Sequence, residues 1–288
     1  METFEIDDPL FREAVDAIDL GNTVELKAML EKYPQLIRDR LNRPTKDYFE
    51  SPYLMWFVAD NPIRNGKLPD NIVDVTQLLI EEAKRQAPES FNHQVDYTLG
   101  LVVTGRIPRE SGSQIELIDV LIDAGASPGN GIGALAHGNF DAAKHLIKRG
   151  GTLTLTAAVC FDLENDIHRL AERADKAELQ TALIAAAFYA RVPAIKFLLE
   201  SGADPNGYAD RNSGFHSHAT ALHQAVYSGS LEAVKILIEA GARLDLTDRI
   251  YQGTPLGWAK YMQTETTNET EKEQYKKIED YLTGIASV

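Results

Sequence analysis

The sequence predicts an all-α chain: a solenoid of stacked antiparallel helix pairs with projecting turns and little or no β-sheet. Three observations lead there. Two stretches, TALIAAAFYARVPAIKFLLESGADPN from Thr181 and TALHQAVYSGSLEAVKILIEAGARLD from Thr220, align without a gap at a constant offset of 39 residues. Within each, apolar residues recur three and four apart, which gives a helix one buried stripe. Each helix is too short to be stable alone, so each pair must stack on its neighbours to bury that stripe.

The elements follow in order. Residues 11–30, FREAVDAIDLGNTVELKAML, read as a first helix pair within an N-terminal capping unit over 11–50. Residues 51–178 hold irregular units. One begins at SPYLMWFVADN and ends at VTQLLIEEA. Others show IDVLIDAGASP, GNFDAAKHLIKRG and LTAAVCFDLENDIHRL. Residues 179–253 hold the two best copies, and TPLGWA at Thr254 opens a C-terminal capping unit over 254–288. The whole chain, 1–288, reads as one solenoid of about eight units. Alanines Ala185, Ala186 and Ala225 allow close helix approach, and Gly202 and Gly241 sit where a left-handed residue ends the second helix. Taking one apolar position of each second helix (Met29, Leu79, Leu121, Leu146, Leu170, Leu198, Leu237) gives spacings that shrink in the middle of the chain and lengthen at its ends. Uneven curvature is expected, with a bend near 130–180.

TALHQA, ESGADPN, EAGARLD and TPLGWA resemble the ankyrin repeat, whose signature is T-P-L-H-x-A, a glycine, a second apolar helix and a Gly-Ala-Asp-Pro-Asn-like turn. Looser copies extend the resemblance along most of the chain. It implies that first helices and turns line a partner-gripping surface. It also implies that His223, in the histidine place of the signature, is committed to hydrogen-bonding turn backbone.

Composition narrows the function. The chain has 288 residues, 44% of them hydrophobic, an ordinary share for a soluble globular protein. No apolar run approaches the roughly 18–20 residues of a membrane span. The acidic opening METFEIDDPLFREAV lacks the layout of a secretory signal. With Cys160 as the single cysteine, a disulfide framework is excluded, and the cytoplasm is the expected compartment. A net charge of −14 repels phosphate backbones and argues against nucleic acid as a partner. The local exception, Arg38, Arg40, Arg43 and Lys46, reads as a solvated loop.

Insertions in a repeat map to loops, often on the binding face. Those at 61–71 and 106–114 carry Arg64, Lys67, Arg106 and Arg109 and rank second as candidates. The one at 263–273 is polar and is expected to be mobile. The leading candidates are two turns between units, 207–219 and 246–253, expected to be neighbours. They present Tyr208, Arg211, Phe215, His216, His218, Arg249, Tyr251 and Gln252 and hold no Lys or Glu. Aromatic residues and Arg are the types enriched at interface hot spots. Phe215 and Tyr251 either meet a partner or pin the long turns to the stack. A second column supports binding: Phe188, Tyr227 and Tyr261 share one place late in the first helix, and Ala185, Gln224 and Trp258 share another. The column is either packing between first helices or a groove for a peptide. Tyr227, Trp258 and Tyr261 complete the candidate partner-binding set.

Catalytic chemistry is weakly indicated. His216 and His218 leave a zinc site short of its three or four ligands, although Asp210 or Asp248 could complete one. Cys160, in AAVCFD, reads as a small buried hydrophobe. Gly129-Asn130-Gly131-Ile132-Gly133 lacks the Lys-Ser/Thr tail and preceding strand of a phosphate loop. No metal or cofactor is expected. The leading reading is a monomeric, non-enzymatic module that binds a neutral or basic protein partner. The alternatives are a histidine-dependent small-molecule or metal-binding enzyme using His216, His218 and Arg249, and an accessory protein that acts by oligomerising.

Overall fold

The structure is a computed structural model and describes residues 6–42 and 49–286. Arg43 and Lys46 of the basic cluster lie outside the described residues. No strand occurs among those described. The chain divides into two compact units, Met1–Thr152 and Leu153–Val288.

The first unit contains α1 (Pro9–Asp19), α2 (Thr23–Lys32), α3 (Gln35–Arg38), a 3-10 segment (Leu54–Ala59), α4 (Ile72–Gln86), α5 (Phe91–Thr104), α6 (Arg106–Glu110), α7 (Gln114–Asp123), α8 (Ile132–Ala136) and α9 (Phe140–Lys148). First elements touch in the order α1, 3-10 segment, α5, α8; second helices touch in the order α2, α4, α7, α9. That is a stack of four pairs. The 3-10 segment, LMWFVA, is apolar throughout and every residue of it is buried. An amphipathic helical period is absent because no face of it meets water.

The second unit contains α10 (Leu155–Phe161), α11 (Glu164–Ala171), α12 (Lys176–Phe188), α13 (Val192–Glu200), α14 (Ala221–Tyr227), α15 (Leu231–Glu239), α16 (Pro255–Glu265) and α17 (Glu269–Ala286). It too is a stack of four pairs, with α10, α12, α14 and α16 forming one row and α11, α13, α15 and α17 the other. Asp175 starts α12 with a full capping box: its carboxylate accepts from the Ala177 and Glu178 amides, and Glu178 accepts from the Asp175 amide. Gly202 and Gly241 adopt φ of +95° and +92° just past α13 and α15. There the Ala203 and Ala242 amides reach back to the carbonyls of Leu198 and Leu237, closing each helix. Ala185, Ala186 and Ala225 are fully buried where first helices touch.

Several expectations change. In α2 the buried positions are Leu26 and Leu30, with Met29 half-buried, and in α11 the buried position is Ile167, with Leu170 half-buried. Each helix is rotated from the alignment by part of a turn, which the apolar pattern alone does not show. Residues 263–273 are helical on both sides of a short break, with the Gln263 amide bonded to Glu279 at 3.0 Å. Arg38 and Arg40 are exposed, as a solvated cluster requires, and each also has a partner. Arg38 donates to the Gln86 carbonyl at 2.8 Å, and Arg40 lies over the rings of Tyr53 and Trp56. Of the second-rank loops, Arg64 is spent on Asp19 and the Phe57 carbonyl, and Arg109 is spent on Asn139.

Candidate functional site: an aromatic cleft on the second unit

The turns 207–219 and 246–253 are bound to each other. The Tyr208 hydroxyl donates to the Thr247 carbonyl at 2.6 Å. The Arg249 guanidinium lies 4.2 Å over the Tyr208 ring and donates to the Ser217 carbonyl, while its backbone amide donates to the His218 carbonyl at 2.7 Å. Tyr208 and Arg249 therefore join turn to turn. Phe215 is 1% exposed and stands edge-on to Phe188, with ring centroids 5.7 Å apart. It is the anchor of its finger and presents no ring to a partner. Arg211 and Gln252 are exposed but stand outside the cleft described below.

Asp248 organises the second turn. Its buried carboxylate accepts from the amides of Ile250, Tyr251 and Gly253 and from the Trp258 indole at 3.0 Å. Burial alone would push this carboxyl up. The donors from Tyr251, Trp258, Ile250 and Gly253 more than offset that and hold it below the usual carboxylate range. One anion thus sets both the turn and the direction of Trp258.

The result is a cleft of about 550 Å³ between α12, α14, α16 and the two turns. One wall is a stack of rings. His216 lies on Phe188 (4.4 Å, 28°), and Phe188 lies on Tyr227 (5.2 Å, 10°). Facing it are Trp258, Tyr261, Met262 and Tyr251, with His218 stacked on Trp258 at 6.1 Å. Tyr227, Tyr251 and Tyr261 are exposed, so the rim is open. Gln224 lines the interior and is itself buried. No Lys, Arg, Asp or Glu is among the lining residues. Burial lowers the His218 pKa, partly opposed by Asp248, which favours the neutral ring near pH 7. The Glu265 carboxylate beside Tyr261 raises its phenol above the ordinary range.

Six of the sequence-predicted residues thus meet in one place: His216, His218, Tyr227, Tyr251, Trp258 and Tyr261. The repeat columns also carried Phe188 and Gln224 to it, although neither had been placed in the binding set. Met262, Gly253 and Gly257 carried no signal. Met262 lines the cleft because α16 runs on to Glu265, well past its TPLGWA opening.

The three histidines separate in role. The Thr220 hydroxyl donates to His223 Nδ1 at 2.7 Å, and His223 Nε2–H donates to the Gly253 carbonyl at 3.0 Å. Its ring braces one repeat against the next turn. His216, at φ +32°, belongs to the ring stack, and His218 lies 5.9 Å from it. Among the described residues, no three His, Cys, Asp or Glu side chains gather in a metal-binding arrangement. Burial pushes the Cys160 thiol up to about 12, far from an activated thiolate.

Residues 110–248 match a family model described as ankyrin repeats, in three copies. The chain carries ankyrin repeats across that span. The matched span includes α12 to α15 and both fingers up to Asp248; the pair α16 and α17 lies beyond it. No curated protein matches the chain. Ankyrin repeats typically serve protein–protein interaction rather than catalysis.

Proposed function

We propose that this chain is a non-enzymatic binding module whose aromatic cleft on the second unit grips a segment of a protein partner. The observation that carries the reading is the set of exposed rings. Tyr251 and Tyr261 are 77% and 60% exposed, yet both face a concave, uncharged space shared with Trp258. Large rings left in water around a concavity mark interaction sites, and Tyr and Trp dominate interface hot spots. The net charge of −14 favours a neutral or basic partner. In this reading the chain acts as a monomer in the cytoplasm.

The test is capture from native lysate with the natural chain and with Tyr227→Ala plus Tyr261→Ala. Both side chains are exposed, so the fold should survive. The double variant should lose at least one partner that the natural chain retains. An unchanged set of captured proteins sinks the cleft as the docking site. The histidine-enzyme alternative gains no geometric support, since Arg249 is spent on joining the turns and His216 on the ring column.

A further inference from the structure

The cleft lining holds no charge, but two of its rings are backed by anions. The buried Asp248 carboxylate accepts the Trp258 indole N–H at 3.0 Å. Glu265, one turn further along α16, stands beside the Tyr261 phenol and is exposed. Neither carboxylate is itself in the lining. Of the two arginines in the fingers, neither lines the cleft, and Arg249 is spent on the Tyr208 ring and the Ser217 carbonyl. Burial favours the neutral form of His218. Aromatic faces carry negative charge, and carboxylates behind the rings add to that field. The space therefore attracts a cation and repels an anion.

The kind of cation follows from hydration. A lysine ammonium is compact and strongly hydrated, and the lining has no charged acceptor to replace its water. A guanidinium is weakly hydrated and flat, so it stacks on Tyr and Trp rings while its N–H edge stays free for an acceptor. A quaternary ammonium has no N–H with which to use Glu265. The chain makes the same contact internally, with Arg249 4.2 Å over Tyr208 and Arg40 4.9 Å over Tyr53. We propose that the cleft binds an arginine side chain of a basic partner. Its guanidinium lies against the rings of Tyr227, Trp258 and Tyr261, and its N–H edge meets Glu265 at the open rim. This rests on the cleft being the docking site.

The test uses the full-length chain and a short glycine-serine peptide with one central arginine and both ends blocked. Matched peptides carry lysine, trimethyllysine or citrulline in its place; citrulline keeps the shape and lacks the charge. NMR titration reads the indole N–H signals of the two tryptophans. The arginine probe should shift Trp258 saturably and leave Trp56, which is buried in the first unit, unmoved. The lysine and trimethyllysine peptides should bind severalfold more weakly, and the citrulline peptide should not bind. Tyr261→Ala and Glu265→Gln change exposed side chains, and each should weaken the arginine probe severalfold. The proposal is overturned by no saturable shift of Trp258, an equal shift of Trp56, unchanged affinity in either variant, or a matched peptide that binds as tightly. If the arginine probe fails while Tyr227→Ala plus Tyr261→Ala still strips a partner from the lysate, the docking reading stands and the arginine assignment falls. If neither shows an effect, both fall.

Discussion

His223 and Gln224 are adjacent in α14, both are buried, and they do opposite work. Both ring nitrogens of His223 are bonded, to Thr220 and Gly253, so the residue serves the stack. Gln224 Nε2 is buried with no acceptor among the described residues. The His223 ring has a measurable consequence. Burial lowers its pKa, partly opposed by its bond to Gly253 and by Asp248. In the unfolded chain it titrates near about 6.5. As pH falls below that value the unfolded chain takes the proton first, so stability present above about pH 6.5 is progressively lost down to the folded value. His218 is shifted in the same direction. The urea midpoint of the natural chain should therefore drop between pH 7.5 and pH 5.5. His223→Gln should start from a lower midpoint and show a shallower drop; an equal drop would exclude this ring as a source. The role of His223 was legible from its place in TALHQA. That Phe215 is buried and Tyr251 exposed was not. Both are aromatic residues in long turns, and only packing against Phe188 distinguishes them.

Among the elements, α17 closes the second unit. It buries Tyr275, Ile278 and Leu282 on one stripe, touching α15 and α16. Its other faces carry ion pairs such as Lys276 with Asp280 and Lys277 with Glu273. A charged outer face suits water rather than the apolar face of another repeat. Ile278→Ala should cost about 2–4 kcal/mol in urea unfolding. Lys277→Ala should stay within about 0.5 kcal/mol, because its pair with Glu273 is exposed. A loss below about 1 kcal/mol for Ile278→Ala would mean that α17 is not bearing on the unit. The pairs α12/α13 and α14/α15 were legible because their caps, apolar stripes and closing glycines agree. The helicity of 263–273 was not, since QTETTNETEKE has no apolar stripe of its own. It is helical because Tyr275, Ile278 and Leu282 further along anchor the helix it starts.

At the scale of the whole molecule, charge sets the character of association. A chain of net −14 attracts a basic ligand over distances that salt shortens, to about 10 Å at 0.1 M. A basic partner captured by the chain should be retained less at 500 mM than at 50 mM NaCl, and a neutral partner should be retained equally. Equal salt dependence would place the attraction elsewhere than in charge. The sequence by itself determined the helical class, the repeat, the acidity and the two turns that carry the site. These are local or compositional properties, written in periods, caps and counts. Tertiary structure decided which aromatic residues face the solvent, that Asp248 aims Trp258, that Tyr208 and Arg249 join the turns, and that Gln224 keeps an unpaired donor. Each of those depends on distances between residues far apart in the chain, which no spacing along it encodes.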